Sequence, residues 1–401
     1  MKRLKSIGAR IKENKFVTSI ILCAAFLRIW RLEEFAMFLA DQGRDAIIVR
    51  KIVTLEHLPL IGPPSSIGQV YLGPFFYYLV APFLFLSALH PVGLVFGVSF
   101  LSITGIALGY CVVRNILDKK AALFFLILSA FSYHLIWAAR FSWNPNLLPV
   151  FAFFTLYFLY KALETKKMLY SVLYGTFFGL SFQLHHLAAS LVIPLAVAFM
   201  YAFAGEKKRI KLLSSLLVAA ASFLVISSPL IFFDIKHDFL NTKNLISLFT
   251  QQNMVAGGSP LARLLETNHA FWATILQLRY PQEISTLLSL ILAAILSYVW
   301  LSKGKNLFVF IHAVNIISFL YFFSLLSSAR HPHYYGSIYL SFFVLCAYLL
   351  SIVSKQTYST LILGFIICVY VVLNAMRYSF IIGTPNNQIA YAERIAKSMV
   401  P

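Results

Sequence analysis

Twelve apolar stretches dominate this chain, near 16–36, 74–89, 92–113, 121–139, 146–161, 169–187, 188–204, 211–233, 284–302, 306–328, 334–354 and 357–376. About 20 apolar residues cross a bilayer as a helix, because the hydrocarbon core is about 30 Å thick and no water reaches its backbone groups. Stretches of that kind repeated along 401 residues imply an all-α polytopic membrane protein, one integral-membrane unit over 1–401. Composition agrees: 60% of residues are hydrophobic and 12% charged, against roughly 45–50% and 25% in soluble domains. An ordinary soluble enzyme is excluded.

Charge then sets the topology. The 33 Lys and Arg against 14 Asp and Glu give +19, which could serve nucleic acid, anionic lipid or the positive-inside bias. If 74–89 crossed fully, the basic loop from Arg114 to Lys120 and every later basic loop would face outward. If 74–89 is re-entrant or interfacial, all of them lie inside, and about eleven crossings remain, with a cytoplasmic N-terminus. On that reading +15 of the +19 sits on inner connectors and the N-terminal tail, so the charge orients the chain and implies no nucleic acid. The start, basic over 1–15 and then apolar without a small-residue cleavage site, reads as a retained signal anchor. Cys23, Cys111, Cys346 and Cys368 fall in apolar runs, spaced for neither a metal site nor a disulfide framework, and read as buried small hydrophobes. Walker A, GxGxxG, HExxH and CxxC motifs are absent from the sequence.

The inner connectors are short, so chemistry belongs to the two long outer segments, 37–91 and 234–283, or to the spans. In the first segment, residues 44–58 make an amphipathic helix with Ile48, Val49, Ile52, Val53 and Leu55 on one half of its wheel. Ahead of it stands Asp41-Gln42-Gly43-Arg44-Asp45. A carboxylate near the hydrocarbon boundary needs an adjacent guanidinium to stay ionised; the run reads equally as an active-site base or as an interfacial cap and hinge. Pro63, Pro64, Gly73 and Pro74 impose a non-helical path, a pocket wall or a plain linker.

Other polar groups gather at outer ends. Arg140, beside Ser142, Trp143 and Asn144, suits phosphate or sugar hydroxyls, with Trp143 as an ordinary interfacial residue. His185 and His186 diverge by about 100° on a helix, which favours hydrogen bonding over a shared metal. Asp234 and Lys236 open the second long segment, where a solvated loop start is the plainer reading. Arg330, His331, His333 and Tyr334 form an anion-binding corner.

These residues resemble the GT-C glycosyltransferases of the protein O-mannosyltransferase and aminoarabinose-transferase type. In that superfamily the first outer loop opens with Asp-Glu, commonly followed by Arg-Tyr-Ala, an amphipathic helix, a proline bend and a Pro-Pro-Leu-x-Tyr-Trp-like stretch. The matching runs are Asp41-Gln42-Gly43-Arg44-Asp45-Ala46, His57-Leu58-Pro59-Leu60 and Gly73-Pro74-Phe75-Phe76-Tyr77-Tyr78. Gln42 departs from the second acid, so any role needing two carboxylates falls to Asp45. The resemblance implies a polyprenyl-phosphate-linked sugar donor, an apolar groove for its tail, a hydroxyl acceptor and inverting transfer outside the cytoplasm. Asp41 is then the general base, with Arg44 and Asp45 beside it. Arg140, Asn144, His185, Asp234, Lys236, Arg330, His333, Tyr334 and Tyr78 are candidate substrate contacts. No obligatory cofactor is implied; divalent metal stays open, since related enzymes differ. The rivals are a secondary transporter or lipid flippase, disfavoured because the polar residues sit at span ends without a two-half repeat, and a noncatalytic assembly subunit.

Overall fold

The computed structural model describes residues 15–65, 70–205, 209–250, 257–354 and 359–399. The basic tail before Lys15, together with Ser66, Gln69, Lys207, Lys208 and Lys355, lies outside them. The first half runs α1 (Lys15–Ile29), α2 (Leu32–Phe35), α3 (Ala40–Val53), α4 (Phe75–Leu86), α5 (Val92–Ile116), α6 (Lys119–Phe131), α7 (Tyr133–Ala139), α8 (Leu148–Thr165) and α9 (Met168–Leu184). The second runs α10 (Val192–Gly205), α11 (Arg209–Lys236), α12 (Leu240–Thr250), α13 (Pro260–Leu276), α14 (Gln282–Lys303), α15 (Leu307–Ser324), α16 (Tyr339–Val353), α17 (Ser359–Ala375) and α18 (Gln388–Ser398).

Among the described residues, every apolar stretch of the sequence is mainly helical. Among the described residues, Val92–Ile116, Asn144–Thr165, His186–Ala204, Ile210–Lys236, Gln282–Ser302 and Leu307–Ser324 are long and apolar enough to cross a bilayer, and the bent pair α6–α7 makes a seventh span. α4, α9, α16 and Leu361–Ala375 are apolar but shorter. The chain is an integral multi-pass membrane protein. α4 has 12 residues, roughly 18 Å at 1.5 Å per residue, well short of the hydrocarbon core. Leu217, Leu290, Leu361 and Phe365 stay more than half exposed on the outside of the bundle, as lipid-facing positions should. All four cysteine thiols are free; the reading as buried small hydrophobes is corrected for Cys23, Cys111 and Cys368, which are exposed, while Cys346 is partly covered. In a membrane protein an apolar run marks lipid-facing and core-facing positions alike.

The bend between α6 and α7 is 60°, and the carbonyls that lose helical partners there are met from elsewhere. Tyr370 donates to Leu128 O at 2.9 Å, Arg28 to Ser129 O and Ala130 O at 3.1 Å each, and Tyr378 to Phe131 O at 2.5 Å. The Tyr133 N–H donates to Asn374 Oδ1 at 2.7 Å. Backbone groups left unpaired away from water would each cost several kcal/mol, so Arg28, fully buried, is a structural clamp.

One end of the bundle gathers the chemistry. Ser99 Oγ, on α5, lies within hydrogen-bond distance of Arg28 O and Ala139 O, and Asn144 Nδ2 donates to Leu184 O. This is the Asp41 end. α3 lies there with Val49 and Ile52 buried against Phe76, Tyr77 and Val80 of α4. It stops at Val53, short of the expected Leu58, because Leu55 turns to φ 58° and stands exposed. Segments 62–65 and 70–73 pair through Gly62 N to Leu72 O (2.7 Å) and Leu72 N to Pro63 O (3.1 Å). A Cβ on Gly62 would meet Gly73 O at 2.2 Å, so this approach requires glycine.

Candidate active site

The first turn of α3 carries a carboxylate ladder. Arg44 Nη1 reaches Asp41 Oδ1 at 2.9 Å, three residues back, while its Nε and Nη2 reach Asp45 Oδ1 at 3.0 and 2.8 Å. Tyr77 Oη donates to the same Asp45 oxygen at 3.1 Å. The two acids, four residues apart, differ in environment: the Asp41 side chain is 54% exposed and that of Asp45 is 1% exposed. Burial pushes the Asp45 carboxyl above its ordinary value, with Arg44 pulling the other way. Burial also opposes the Arg44 charge, but Asp45, Tyr77 and Asp41 outweigh it and leave that guanidinium held more tightly protonated. Asp41 is therefore the reachable carboxylate, and Asp45 is the buried post that holds Arg44.

Gln42 explains the departure from a second acid. Its Oε1 accepts from Leu39 N at 3.0 Å and its Nε2 donates to Ser142 O at 3.3 Å, in a position only 2% exposed. A carboxylate could not make the second bond. That bond ties the Asp41 helix to the segment carrying Trp143, where rings from three chain segments converge. Trp143 lies 4.6 Å from His333, His333 4.2 Å from Tyr334, and His185 5.4 Å from Tyr334, centroid to centroid. Burial, followed by neighbouring histidines, lowers His185 to about 3 and His333 to about 4, so both rings are neutral near pH 7.

The remaining sequence candidates are spent differently. Arg140 is 5% exposed, donates to Leu27 O and Arg31 O at 3.2 and 3.3 Å, and lies 4.0 Å over the Phe380 ring. Burial lowers it to about 10, still charged at neutral pH, and it caps the carbonyl end of α1. Asn144 holds Leu184 O at 2.6 Å, and Tyr78 holds Pro59 O at 2.9 Å. Asp234 accepts from Asn241 N and Thr242 N at 2.7 and 3.3 Å, fixing the start of α12. Asn241 in turn grips both backbone groups of Tyr71. Lys236 is exposed at the end of α11.

Arg330 donates to Leu326 O and Ser328 O at 3.1 and 2.8 Å and covers the Phe323 ring at 4.6 Å, while its Nε is buried without a partner. Arg263 lies beside it, donating to Ser324 O at 3.0 Å. Sequence reading passed over Arg263 because it sits inside an unremarkable helix; the proximity arises only when α13 folds across the Asp41 end. Both guanidiniums lie by the end of α15. Along α15 runs a groove of about 840 Å³, lined by Leu264, Phe271, Trp272, Leu296, Phe310 and Tyr348, from α13, α14, α15 and α16. Contacts are continuous from Arg330 through Phe323 and Tyr334 to His333 and Trp143, whose neighbour Ser142 accepts from Gln42 beside Asp41. Among the described residues, no three His, Cys, Asp or Glu side chains gather as a metal site.

The helical bundle that carries this carboxylate, these rings and these guanidiniums is similar in fold to membrane glycosyltransferases of the GT-C type. Residues 72–233 match the family model of dolichyl-phosphate-mannose-protein mannosyltransferase, a span that begins after Asp41. The fold is similar to ArnT from Cupriavidus metallidurans bound to undecaprenyl phosphate, with TM-score 0.64 and 15% identity over 88% of this chain and 63% of that one. It is also similar to the oligosaccharyltransferase AglB from Archaeoglobus fulgidus in complex with an inhibitory peptide and a dolichol-phosphate, with TM-score 0.58 and 16% identity over 98% of this chain and 59% of that one. The chain thus spans about three-fifths of the length of these structures. No curated protein matches it in sequence.

Proposed function

We propose that this protein transfers a sugar from a polyprenyl-phosphate-linked donor to a hydroxyl acceptor, a glycolipid, cell-envelope glycan or protein, at the extracytoplasmic face of the cell membrane. The observation that carries this reading is the continuous wall joining a reachable carboxylate to two guanidiniums, one of them next in sequence to Leu264, which lines an apolar groove. The groove suits a polyprenyl tail and the Arg263–Arg330 corner its phosphate. Asp41 removes the acceptor proton as that oxygen attacks the anomeric carbon. The carbon–oxygen bond to phosphate breaks on the opposite side, so the configuration inverts. The leaving lipid phosphate takes the electron pair, and its charge is stabilised by Arg263 and Arg330. Arg44, held by Asp45, keeps Asp41 aimed through the bond to its Oδ1.

The test is transfer from purified polyprenyl-phosphate sugars in vesicles, with lipid flipping and sugar uptake measured in parallel. Transfer abolished by Asp41→Asn supports the reading; flipping or uptake without transfer makes the protein a flippase or transporter. Mass spectrometry of lipid copurifying with Asp41→Asn identifies the donor.

A further inference from the structure

The mechanism above uses Asp41 with its Arg44 and Asp45 support and the Arg263–Arg330 pair, and leaves unused the ring cluster between them. Most ring clusters in this chain are core: Phe271, Phe319, Phe323 and Tyr335 are essentially buried. The cluster at the Asp41 end is different. Trp143, His185, His333 and Tyr334 are half-buried and His331 is exposed. Around His333 the rings are inclined at 58° to Trp143, 62° to Tyr334 and 65° to His185. His331 stacks parallel to His333, at 10° and 5.7 Å, and Phe141 lies 5.5 Å from Trp143, so each of these two rings is backed on one side while the inclined rings between them line a corner.

We propose that this corner is a stacking platform for a saturated sugar ring, with Trp143 and His333 as its faces and His185 as a hydrogen-bond donor at its edge. The inference rests on the glycosyl-transfer reading for its place in the reaction and names what the site recognises. Aromatic faces carry partial negative charge and attract the partly positive C–H bonds on one side of a sugar ring. Hydroxyls at the rim of such a ring need neutral donors and acceptors. His185 supplies a defined one: its Nδ1 accepts from Leu187 N at 3.1 Å, so the neutral ring carries its proton on Nε2. A polyprenyl chain would gain nothing from the nitrogen edges, and a phosphate could use the N–H donors but not the ring faces.

The platform is also held rigid. Ser142 O takes the Gln42 amide, Asn144 holds Leu184 O beside His185, and Asn146 Nδ2 donates to Phe141 O at 2.8 Å. Trp143 thus sits on a segment braced from both sides, one residue from a contact to the helix of Asp41. The stacked ring belongs either to the glycosyl group of the donor or to a sugar-bearing acceptor.

The experiment uses the full chain in detergent with a panel of methyl hexosides and methyl pentosides. Binding is read by tryptophan fluorescence and saturation-transfer NMR in the parent, Trp143→Phe, Trp143→Ala and His333→Ala. The parent binds at least one glycoside saturably, with transfer strongest to the hydrogens of one ring face. Trp143→Ala weakens that binding about threefold to tenfold, as loss of one stacking contact predicts, and Trp143→Phe restores most of it. In the transfer assay, a KM raised for the lipid donor assigns the platform to the glycosyl group; one raised for the acceptor assigns it to the acceptor. No glycoside binding by the parent overturns the platform. So does unchanged binding and KM in a folded Trp143→Ala protein, while the transfer reading survives. Glycoside binding without any transfer leaves the platform standing and overturns the reaction.

Discussion

Asp41→Asn and Asp45→Asn remove the same charge four residues apart, and the structure requires opposite consequences. The Asp41 side chain is 54% exposed and makes one bond to Arg44, at 2.9 Å. Exposed pairs contribute about 0–1 kcal/mol, and Arg44 keeps Asp45, so the substitution costs stability under about 1 kcal/mol. If Asp41 is the base, transfer falls by roughly 10²–10⁴-fold, about 3–5 kcal/mol in the barrier. Asp45 is fully buried, and its Oδ1 takes two Arg44 N–H groups and the Tyr77 hydroxyl. Breaking a buried pair costs about 3–5 kcal/mol. Here Arg44 is 35% exposed and retains Asp41, and losing the charge relieves the burial that opposes it, so about 2 kcal/mol is expected. Thermal unfolding in detergent and initial transfer rates measure the two quantities. Asp41→Asn turning over within tenfold of the parent refutes the base assignment; an Asp45→Asn protein as stable as the parent refutes the buried-post argument.

Gln42→Glu replaces an N–H donor with a carboxylate oxygen facing Ser142 O in a 2% exposed site, and should destabilise by about 1–3 kcal/mol, read as a lower unfolding temperature. Arg28→Met strands the Ser129 and Ala130 carbonyls at the helix break. At about 1–3 kcal/mol per stranded group, less the relief of a buried charge, the net loss is about 2 kcal/mol, with the parent KM for donor retained in the folded fraction. His333 is lowered to about 4 and His185 to about 3, below the roughly 6.5 of an unfolded histidine. Below that value the unfolded chain takes up protons that the folded chain refuses. Stability is therefore full above about pH 6.5 and falls as pH drops toward 4, by up to about 1.4 kcal/mol per pH unit for each ring. The rings facing His333 are Trp143, His185, His331 and Tyr334, and His333→Phe should flatten the slope in a pH series of unfolding curves. Arg263→Ala and Arg330→Ala should each raise KM for the lipid-linked donor about tenfold with kcat less affected, as loss of a charge-assisted phosphate contact implies.

The sequence showed the helices because hydropathy reports on the medium, and the medium is what these stretches share. It could not show which face of a helix meets protein, since lipid accepts the same side chains; hence Cys23, Cys111 and Cys368 read as buried and stand exposed. The Asp41–Arg44–Asp45 group was legible because its contacts are local, within one helical turn. Which acid is reachable was not, because that depends on Tyr77, 32 residues away from Asp45. Arg140 and Asp234 looked like ligands for the same reason: a polar residue at a span end serves a substrate or the end of a helix, and only the positions of Leu27, Arg31, Asn241 and Thr242 decide between them.

The placement of the second carboxylate has a mechanistic consequence. A second acid immediately after Asp41 would fall at position 42, which points into the protein at Ser142 O and is filled by an amide. Moving the acid to position 45, one turn along the buried face with Val49 and Ile52, puts a charge where it cannot stay without a partner. Arg44 is that partner, and its fork has a nitrogen left for Asp41. The interaction that makes burial of Asp45 tolerable therefore also fixes the guanidinium that orients the exposed carboxylate. Stability of α3 and alignment of Asp41 are thereby coupled. Tyr77→Phe, which removes the hydroxyl that donates to Asp45 Oδ1, should lower the transfer rate and the unfolding temperature together. A rate loss with unchanged unfolding would place Tyr77 against the substrate instead.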